Sequence, residues 1–291
     1  MIVYPDINPI ALRLGPIKVH WYGIMYLLGF ATAWLLARWR AARPGSTWKP
    51  VDVDDLIFFG MIGGILGGRV GYVLIYGLSF WTAQNPWYPI EIWDGGMSIH
   101  GGLVGALIAL WIFARRRGRS FGDVLDFTAP LPEPGLFFGR MGNFINGELW
   151  GKPTTLPWGF IVDPRHLHPS QASNALSECA RFGITPCILH VQPSQLYEGF
   201  LEGIVLFAVM WWFTAKPRPR LAPAGLFLLL YGIFRFLVEF VRVPDSQVGY
   251  LAWGWLTMGQ LLSLPMILVG GALITYAYSA RARSGNFATA H

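Results

Sequence analysis

The sequence predicts an all-α, polytopic membrane protein: about seven transmembrane helices around a polar cavity, with the N-terminus outside and the C-terminus cytoplasmic. Three observations predict it. Of 291 residues, 54% are hydrophobic and only 13% charged, against roughly 25% charged in an ordinary soluble domain. Seven apolar runs approach the roughly 20 residues a helix needs to cross hydrocarbon. They fall near 21–38, 56–78, 97–114, 122–139, 197–214, 222–241 and 256–279. Lysine and arginine then alternate between the connections in the manner of the positive-inside rule.

The first run does not read as a signal peptide. Its arginines, Arg38, Arg40 and Arg43, follow the apolar stretch rather than precede it, and no small-residue cleavage site comes after. The connections after spans one, three and five, together with the tail carrying Arg281 and Arg283, hold thirteen basic residues; the opposite side holds six. The segment 142–196 is therefore external, as is the short loop with WDGG at 93–96. No linker or fixed-period repeat divides residues 1–291, so a single integral membrane domain is expected. The net charge of +6 is explained by this placement, and no nucleic-acid partner is expected. Cys179 and Cys187 are the only cysteines, without CxxC or Cys/His ligand spacing. That leaves room for one loop disulfide and gives no support to a metal site.

Three of the 22 basic residues fall inside the spans: Arg69, Arg140 and Arg235. Each costs about 2.5–3.5 kcal/mol at a helix centre on insertion scales, so each requires a partner or a polar surrounding. In LYGIFRFLVEF, Tyr231, Arg235 and Glu239 recur at i, i+4 and i+8 and form one stripe. A structural Arg–Glu pair accounts for that spacing, and so does a stripe binding an anion, with Glu239 restraining the guanidinium. GMIGGILGGRVGYV carries overlapping GxxxG pairs that suit close helix packing, and places Arg69 towards the external side, within reach of a carboxylate or phosphate. In DGGMSIHGGLVG, His100 stands between Gly95–Gly96 and Gly101–Gly102, a bracket that clears space around an imidazole.

The densest polar stretch is GRMGNFINGELWG. Arg140, Asn143, Asn146 and Glu148 gather where span four ends, at the external boundary, and a helix end needs one or two polar caps rather than four such side chains. PSQLYEGF places Gln195 and Glu198 at the mouth of span five, where capping and chemistry explain them equally. HWYGIMY puts Trp21 and Tyr22 at the external interface, where an aromatic belt accounts for the tryptophan.

Taken together, HWYGIMYLLGF, WDGGMSIHGGLVG, GRMGNFINGELWG, PSQLYE and YGIFRFLVEF resemble the prolipoprotein diacylglyceryl transferase family, over about residues 16–280. The resemblance implies a bacterial cytoplasmic (inner) membrane enzyme without metal or other cofactor. Its partners would be phosphatidylglycerol, the lipobox cysteine of a preprolipoprotein signal peptide, and the bilayer. The diacylglyceryl group would pass to the cysteine thiol, leaving a thioether and releasing glycerol 1-phosphate, the first step of lipoprotein maturation. Carried onto this chain, Arg140 and Arg235 hold the lipid phosphate, Asn143 and Glu148 orient the headgroup, and Glu239 positions Arg235. His100 is the candidate base, assisted by Tyr22, and Asn146, Gly151, Tyr231 and Arg69 complete the expected binding set.

Two positions depart from the family pattern. Gln192 precedes PSQLYE where relatives tend to carry histidine, and Glu133 lies between two prolines in span four, where an apolar residue is expected; it either pairs with Arg69 or Arg140 or is a local oddity. A second HPSQ at 168–171 lacks the following LYE and span, which favours the later copy. The rival readings are a transporter, since glycine-rich helices with buried charge also mark substrate pathways, and a different intramembrane lipid-modifying enzyme such as an acyltransferase.

Overall fold

A computed structural model describes residues 1–81, 85–91, 95–244 and 249–284, leaving Trp93 and Asp94 of the expected external WDGG loop outside the described residues, along with the side chains of Arg281 and Arg283. The chain is mostly helical, and among the described residues four helices are long and apolar enough to cross a membrane: Pro50–Gly77, Ile99–Arg116, Ser194–Phe213 and Met258–Ser279. Contacts divide it into two compact units, one built from residues 1–33 and 129 onward, the other from 34–128.

The unit spanning 34–128 contains the end of helix α1 (Trp21–Ala41), helix α2 (Pro50–Tyr72), helix α3 (Ile99–Arg116) and the short helix α4 (Phe121–Thr128). The glycine repeat of α2 does what its spacing predicts. A Cβ on Gly71 would lie 2.7 Å from Gly101 Cα, and one on Gly105 would lie 2.7 Å from Gly67 Cα. The two helices thus meet backbone to backbone, the contact that small residues permit where lipid offers no hydrophobic drive to pack. At the basic end, Asp54 accepts from Trp34 Nε1 at 2.7 Å and pairs with Arg38 at 2.7 Å, while Asp52 faces Arg117 at 3.2 Å and Arg119 at 3.3 Å. Trp48 stacks against Phe127 there, with ring centroids 4.1 Å apart.

Span four departs from expectation. The run at 122–139 is not one helix: α4 stops at Thr128 and helix α5 (Glu133–Asn146) begins after a break. Pro130, Pro132 and Pro134 supply the reason, since each removes a backbone donor and its ring excludes the preceding turn's carbonyl. Helix α6 (Pro169–Phe182) follows, then α7 (Ser194–Glu198), which runs through a π-helical stretch, Gly199–Val205, into α8 (Leu206–Phe213). Helix α9 (Ala222–Val238) and helix α10 (Met258–Ser284) complete the set.

The all-α expectation needs amending outside the spans. Strands β1 (Ile2–Val3), β4 (Phe160–Val162) and β5 (Leu189–Val191) form a three-stranded sheet, and two hairpins pair β2 (Ile10–Leu14) with β3 (Ile17–His20) and β6 (Tyr250–Ala252) with β7 (Leu256–Thr257). Residues 142–196, together with β1 and Tyr4, therefore form a small packed body, whose core is Tyr4, Trp150, Phe160, Val162, Ala175, Cys179, Leu189 and Val191. The Tyr4 hydroxyl donates to the Phe144 carbonyl, and burial pushes its pKa up. Cys179 and Cys187 form a disulfide within this body.

Candidate active site

The motif GRMGNFINGELWG occupies the second half of α5 and the turn that ends it. Arg140 and Asn143, three residues apart, share a helix face, and Arg140 Nη1 donates to Asn143 Oδ1 at 3.4 Å. Gly147 adopts the left-handed cap at φ 63°, which sends the chain back so that Glu148 lies over the last turn. There Glu148 Oε1 accepts from Asn143 Nδ2 at 2.8 Å and from Asn146 Nδ2 at 3.3 Å. Three of the four polar residues expected at this boundary thus share one carboxylate-centred network, and Arg140 joins it through Asn143.

Arg140 also reaches the neighbouring helix. Its Nε pairs with Glu198, and its Nη2 lies 3.8 Å from Glu202. Close approach makes this possible: a Cβ on Gly203 would lie 2.6 Å from Phe137 Cβ and 2.9 Å from Phe137 Cα. The glutamates bracket the start of the π-helical stretch, whose wider turn is a form often found at functional sites.

Glu198 is the hub. Besides Arg140, its Oε1 takes Arg235 Nη1 at 3.3 Å and Arg242 Nη1 at 3.0 Å. Arg235 reaches onward to Glu239 through Nη2, and Arg242 Nε lies 3.4 Å from the same carboxylate. The Thr257 hydroxyl donates to Glu239 Oε2 at 2.8 Å. Gly259 leaves room for that carboxylate, since a Cβ there would lie 2.5 Å from Glu239 Oε1. Three guanidiniums and three carboxylates therefore form one buried cluster, but they are not equally covered. The carboxylate side chains keep 2% (Glu198), 0% (Glu202) and 4% (Glu239) of their surface, whereas Arg140 keeps 20%, Arg235 17% and Arg242 11%. The arginine side chains are thus the more exposed members of the cluster.

Buried amides hold the surrounding turn. Gln195 Nε2 donates to the Glu148 carbonyl at 2.6 Å, and Ser194 Oγ to that of Leu149 at 2.7 Å. The second PSQ copy does parallel work: Gln171 Nε2 donates to the Ile145 carbonyl at 2.8 Å, and Asn174 Nδ2 to that of Gly147 at 3.0 Å. Both copies thus grip the backbone that carries Asn143, Asn146 and Glu148. Gly151 donates its N–H to Gln192 O at 2.9 Å and pairs by a β-bridge with Arg242. A Cβ at Gly151 would lie 2.6 Å from both Gln192 Cβ and the Val241 carbonyl. The Gln192 amide oxygen accepts from Tyr197 at 3.0 Å, while His190 is exposed.

Tyr22 packs on α5, where a Cβ on Gly142 would lie 2.7 Å from its ring, and its hydroxyl lies 3.3 Å from that of Tyr26. Tyr231 stacks on Phe227 on the helix that carries Arg235. Glu133 is fully buried in the first turn of α5.

Two expected site residues belong to the other unit. Arg69 is 3% exposed, and its guanidinium donates to the carbonyls of Tyr88, Pro89 (3.2 Å), Gly95 (2.5 Å) and Gly96 (3.3 Å). Main-chain oxygens occupy it in place of the carboxylate or phosphate expected. His100 is exposed in the first turn of α3, and the glycines that follow it face α2: a Cβ on Gly101 would lie 2.8 Å from Gly71 Cα and one on Gly102 3.3 Å from Gly64 O. Those two glycines serve helix packing.

A family model described as prolipoprotein diacylglyceryl transferase matches residues 9–276. The chain belongs to that family. Among the prolipoprotein diacylglyceryl transferases, the chain is similar to the protein named phosphatidylglycerol–prolipoprotein diacylglyceryl transferase of Nitratidesulfovibrio vulgaris, 53% identical over 93% of this chain and 94% of that one. A protein of the same name from Coxiella burnetii is 51% identical over 97% of this chain and all of its own, and one from Pseudomonas aeruginosa 51% over 96% of each.

Sequence reasoning left Glu202 and Arg242 of the cluster unassigned and placed Glu198 at the mouth of span five without deciding between capping and chemistry. The signal for Arg242 is its place seven residues after Arg235, which returns it to the Tyr231–Arg235–Glu239 stripe; counting it with the external loop hid that. Glu198 and Glu202 repeat at i and i+4, a pair of acids in an apolar run that required buried cations to face.

Proposed function

We propose that this chain transfers the diacylglyceryl group of phosphatidylglycerol to the lipobox cysteine thiol of preprolipoproteins. The relatives' shared name, at 51–53% identity over nearly the whole chain, supports the reaction class. The observation that carries the chemistry is the unequal burial of the cluster: the arginine side chains keep 11–20% of their surface, while their carboxylate partners keep 0–4%. Such a face suits a phosphodiester, because planar guanidiniums bind phosphate oxygens in pairs.

The reaction then balances simply. The thiol of pKa about 8.5 gives up its proton, sulfur forms a bond to the glycerol carbon, and the carbon–oxygen bond to phosphate breaks. The electron pair leaves on the phosphate oxygen of glycerol 1-phosphate. Arg140 and Arg235 neutralise the charge that collects there, with Glu198 and Glu239 fixing their orientation beforehand, so little reorganisation is needed at the moment of transfer. Asn143, Asn146 and Glu148 orient the headgroup beside Gly151 and Tyr231. His100 is the proton acceptor by its motif, with Tyr22 assisting, and Arg69 shapes its own end of the binding set by ordering the loop carbonyls around it.

The same reading makes the chain one multi-pass domain of the bacterial inner membrane, with seven crossings around a polar cavity and an external N-terminus. The four long apolar helices, α1, α9 and the proline-broken α4–α5 stretch supply the count. The Cys179–Cys187 disulfide supports an external position for residues 142–196, since such bonds persist in oxidising compartments. The test is incubation of the purified protein with phosphatidylglycerol labelled in its diacylglycerol backbone and a lipobox peptide. Label on the peptide cysteine with release of glycerol 1-phosphate is expected. Transfer of a fatty acid alone would make it an acyltransferase, and no transfer would favour the transporter reading.

A further inference from the structure

The turn between β6 and β7 carries an aromatic ladder that no step of the transfer reaction uses. Trp253 stacks on Trp255 and Trp255 on Phe240, each pair with ring centroids 5.9 Å apart and planes 23° from parallel. All three rings are exposed, as are Tyr250 and Leu251 on β6. Trp253 keeps 77% of its surface and stands at φ 51°, a backbone region that glycine or asparagine occupies at less cost. A bulky apolar ring held in that conformation and left open gains little from the protein beyond the Trp255 ring, so its benefit has to come from what lies outside.

The ladder's position identifies that partner. β7 ends at Thr257 and α10 starts at the next residue, Met258, so the hairpin stands at the end of a helix long and apolar enough to cross the membrane. Exposed apolar side chains continue onto α10 at Met258, Leu261 and Leu262 and onto α9 at Leu237. Lys152 adds a cation at the ladder's edge: its Nζ donates to the Phe240 carbonyl at 2.9 Å and lies 5.3 Å from the centre of the Tyr250 ring. Tryptophan and tyrosine beside a lysine, at the end of a span, suit the headgroup layer, where ring faces meet acyl chains, the indole N–H meets water and phosphate, and the ammonium meets anionic lipid. We infer that the β6–β7 hairpin seats in the headgroup layer of the bilayer at this end of α10. Thr257, two residues beyond Trp255, donates to Glu239 Oε2 at 2.8 Å. The seat therefore ties the arginine–glutamate cluster to the layer that holds lipid phosphates, which is where a phosphate clamp of the kind proposed above has to work.

The test places a fluorophore at the tip of the hairpin. The chain's two cysteines are joined in a disulfide, so Trp253→Cys adds a single free thiol. This thiol is labelled with NBD, and the full chain is reconstituted into nanodiscs of phosphatidylcholine and phosphatidylglycerol. Seating in the headgroup layer predicts blue-shifted emission, protection from aqueous iodide, and quenching that is several-fold stronger from a lipid nitroxide near the headgroup than from one near the chain end. Leu251→Cys, on the neighbouring strand, gives the same readout if the tip label disturbs the turn. Emission as in water with full quenching by iodide would overturn the seat. Quenching strongest from the chain-end nitroxide would overturn it too, because the hairpin would then lie in hydrocarbon. Protection that appears only when a lipobox peptide is added would make the ladder a peptide-docking face instead. No turnover enters the measurement, so its failure stays separate from a failure of the proposed reaction.

Discussion

Glu198 and Arg242 meet at 3.0 Å across 44 residues of sequence. The same Glu198 oxygen takes Arg235 as well, and its partner oxygen takes Arg140, so one sealed carboxylate fixes three guanidiniums from two separate stretches of chain.

Removing that charge leaves the arginines facing one another. Glu198→Gln is expected to destabilise the protein by about 3–5 kcal/mol, the usual result when one partner of a buried ion network is deleted. Thermal unfolding in detergent reads the loss. An unchanged midpoint would show that the arginines find other partners.

Arg235 bridges Glu198 and Glu239 with two different nitrogens. A lysine ammonium is a single point on a flexible stem and does not span both carboxylates while also presenting donors to a ligand. Arg235→Lys is expected to lose at least roughly tenfold in kcat/KM for diacylglyceryl transfer while inserting normally. Wild-type kinetics in this variant would mean that charge alone suffices.

Gln171 reaches the polar motif from helix α6, donating to the Ile145 carbonyl from a fully buried position. Gln171→Ala leaves that carbonyl unmet, at a cost of about 1–3 kcal/mol. It also loosens the turn carrying Glu148. Lower thermal stability together with a raised KM for phosphatidylglycerol is the expected outcome; a stability loss with unchanged KM would confine Gln171 to folding.

The Cys179–Cys187 disulfide closes the end of the same helix, eight residues apart in sequence. Cys179→Ser is expected to cost about 2–3 kcal/mol from the short loop it releases. A mass shift on reducing the protein isolated from membranes checks that the bond forms there. Thiols free before reduction would remove this support for an external loop.

Much of this was legible from residues alone. Because both depend on local pattern, excluded charge and apolar runs gave the helical membrane class, and the glycine spacing of α2 announced a close helix contact, though not that its partner is α3. Arg140, Asn143, Asn146 and Glu148 stood out because four polar side chains at one helix end exceed what capping needs. The partners of those arginines were harder. Glu198 and Glu202 lie on one helix, Arg235, Glu239 and Arg242 on and just beyond another, and only tertiary packing brings them together with α5. The small body built on the three-stranded sheet was missed for a different reason: its strands are two or three residues long, too short for any alternation to register. The break at Ala129–Pro132 was readable from its prolines, but the apolar run on either side masked it.

The central claim is that Arg140 and Arg235 grip a lipid phosphate, and direct binding tests it without relying on turnover. Phosphorus NMR titration of glycerol 1-phosphate into the purified protein in detergent reports occupancy at the phosphate itself. The account predicts saturable binding to the wild type that is lost in both Arg140→Ala and Arg235→Ala, each variant still folded. Wild-type affinity in either variant would contradict it.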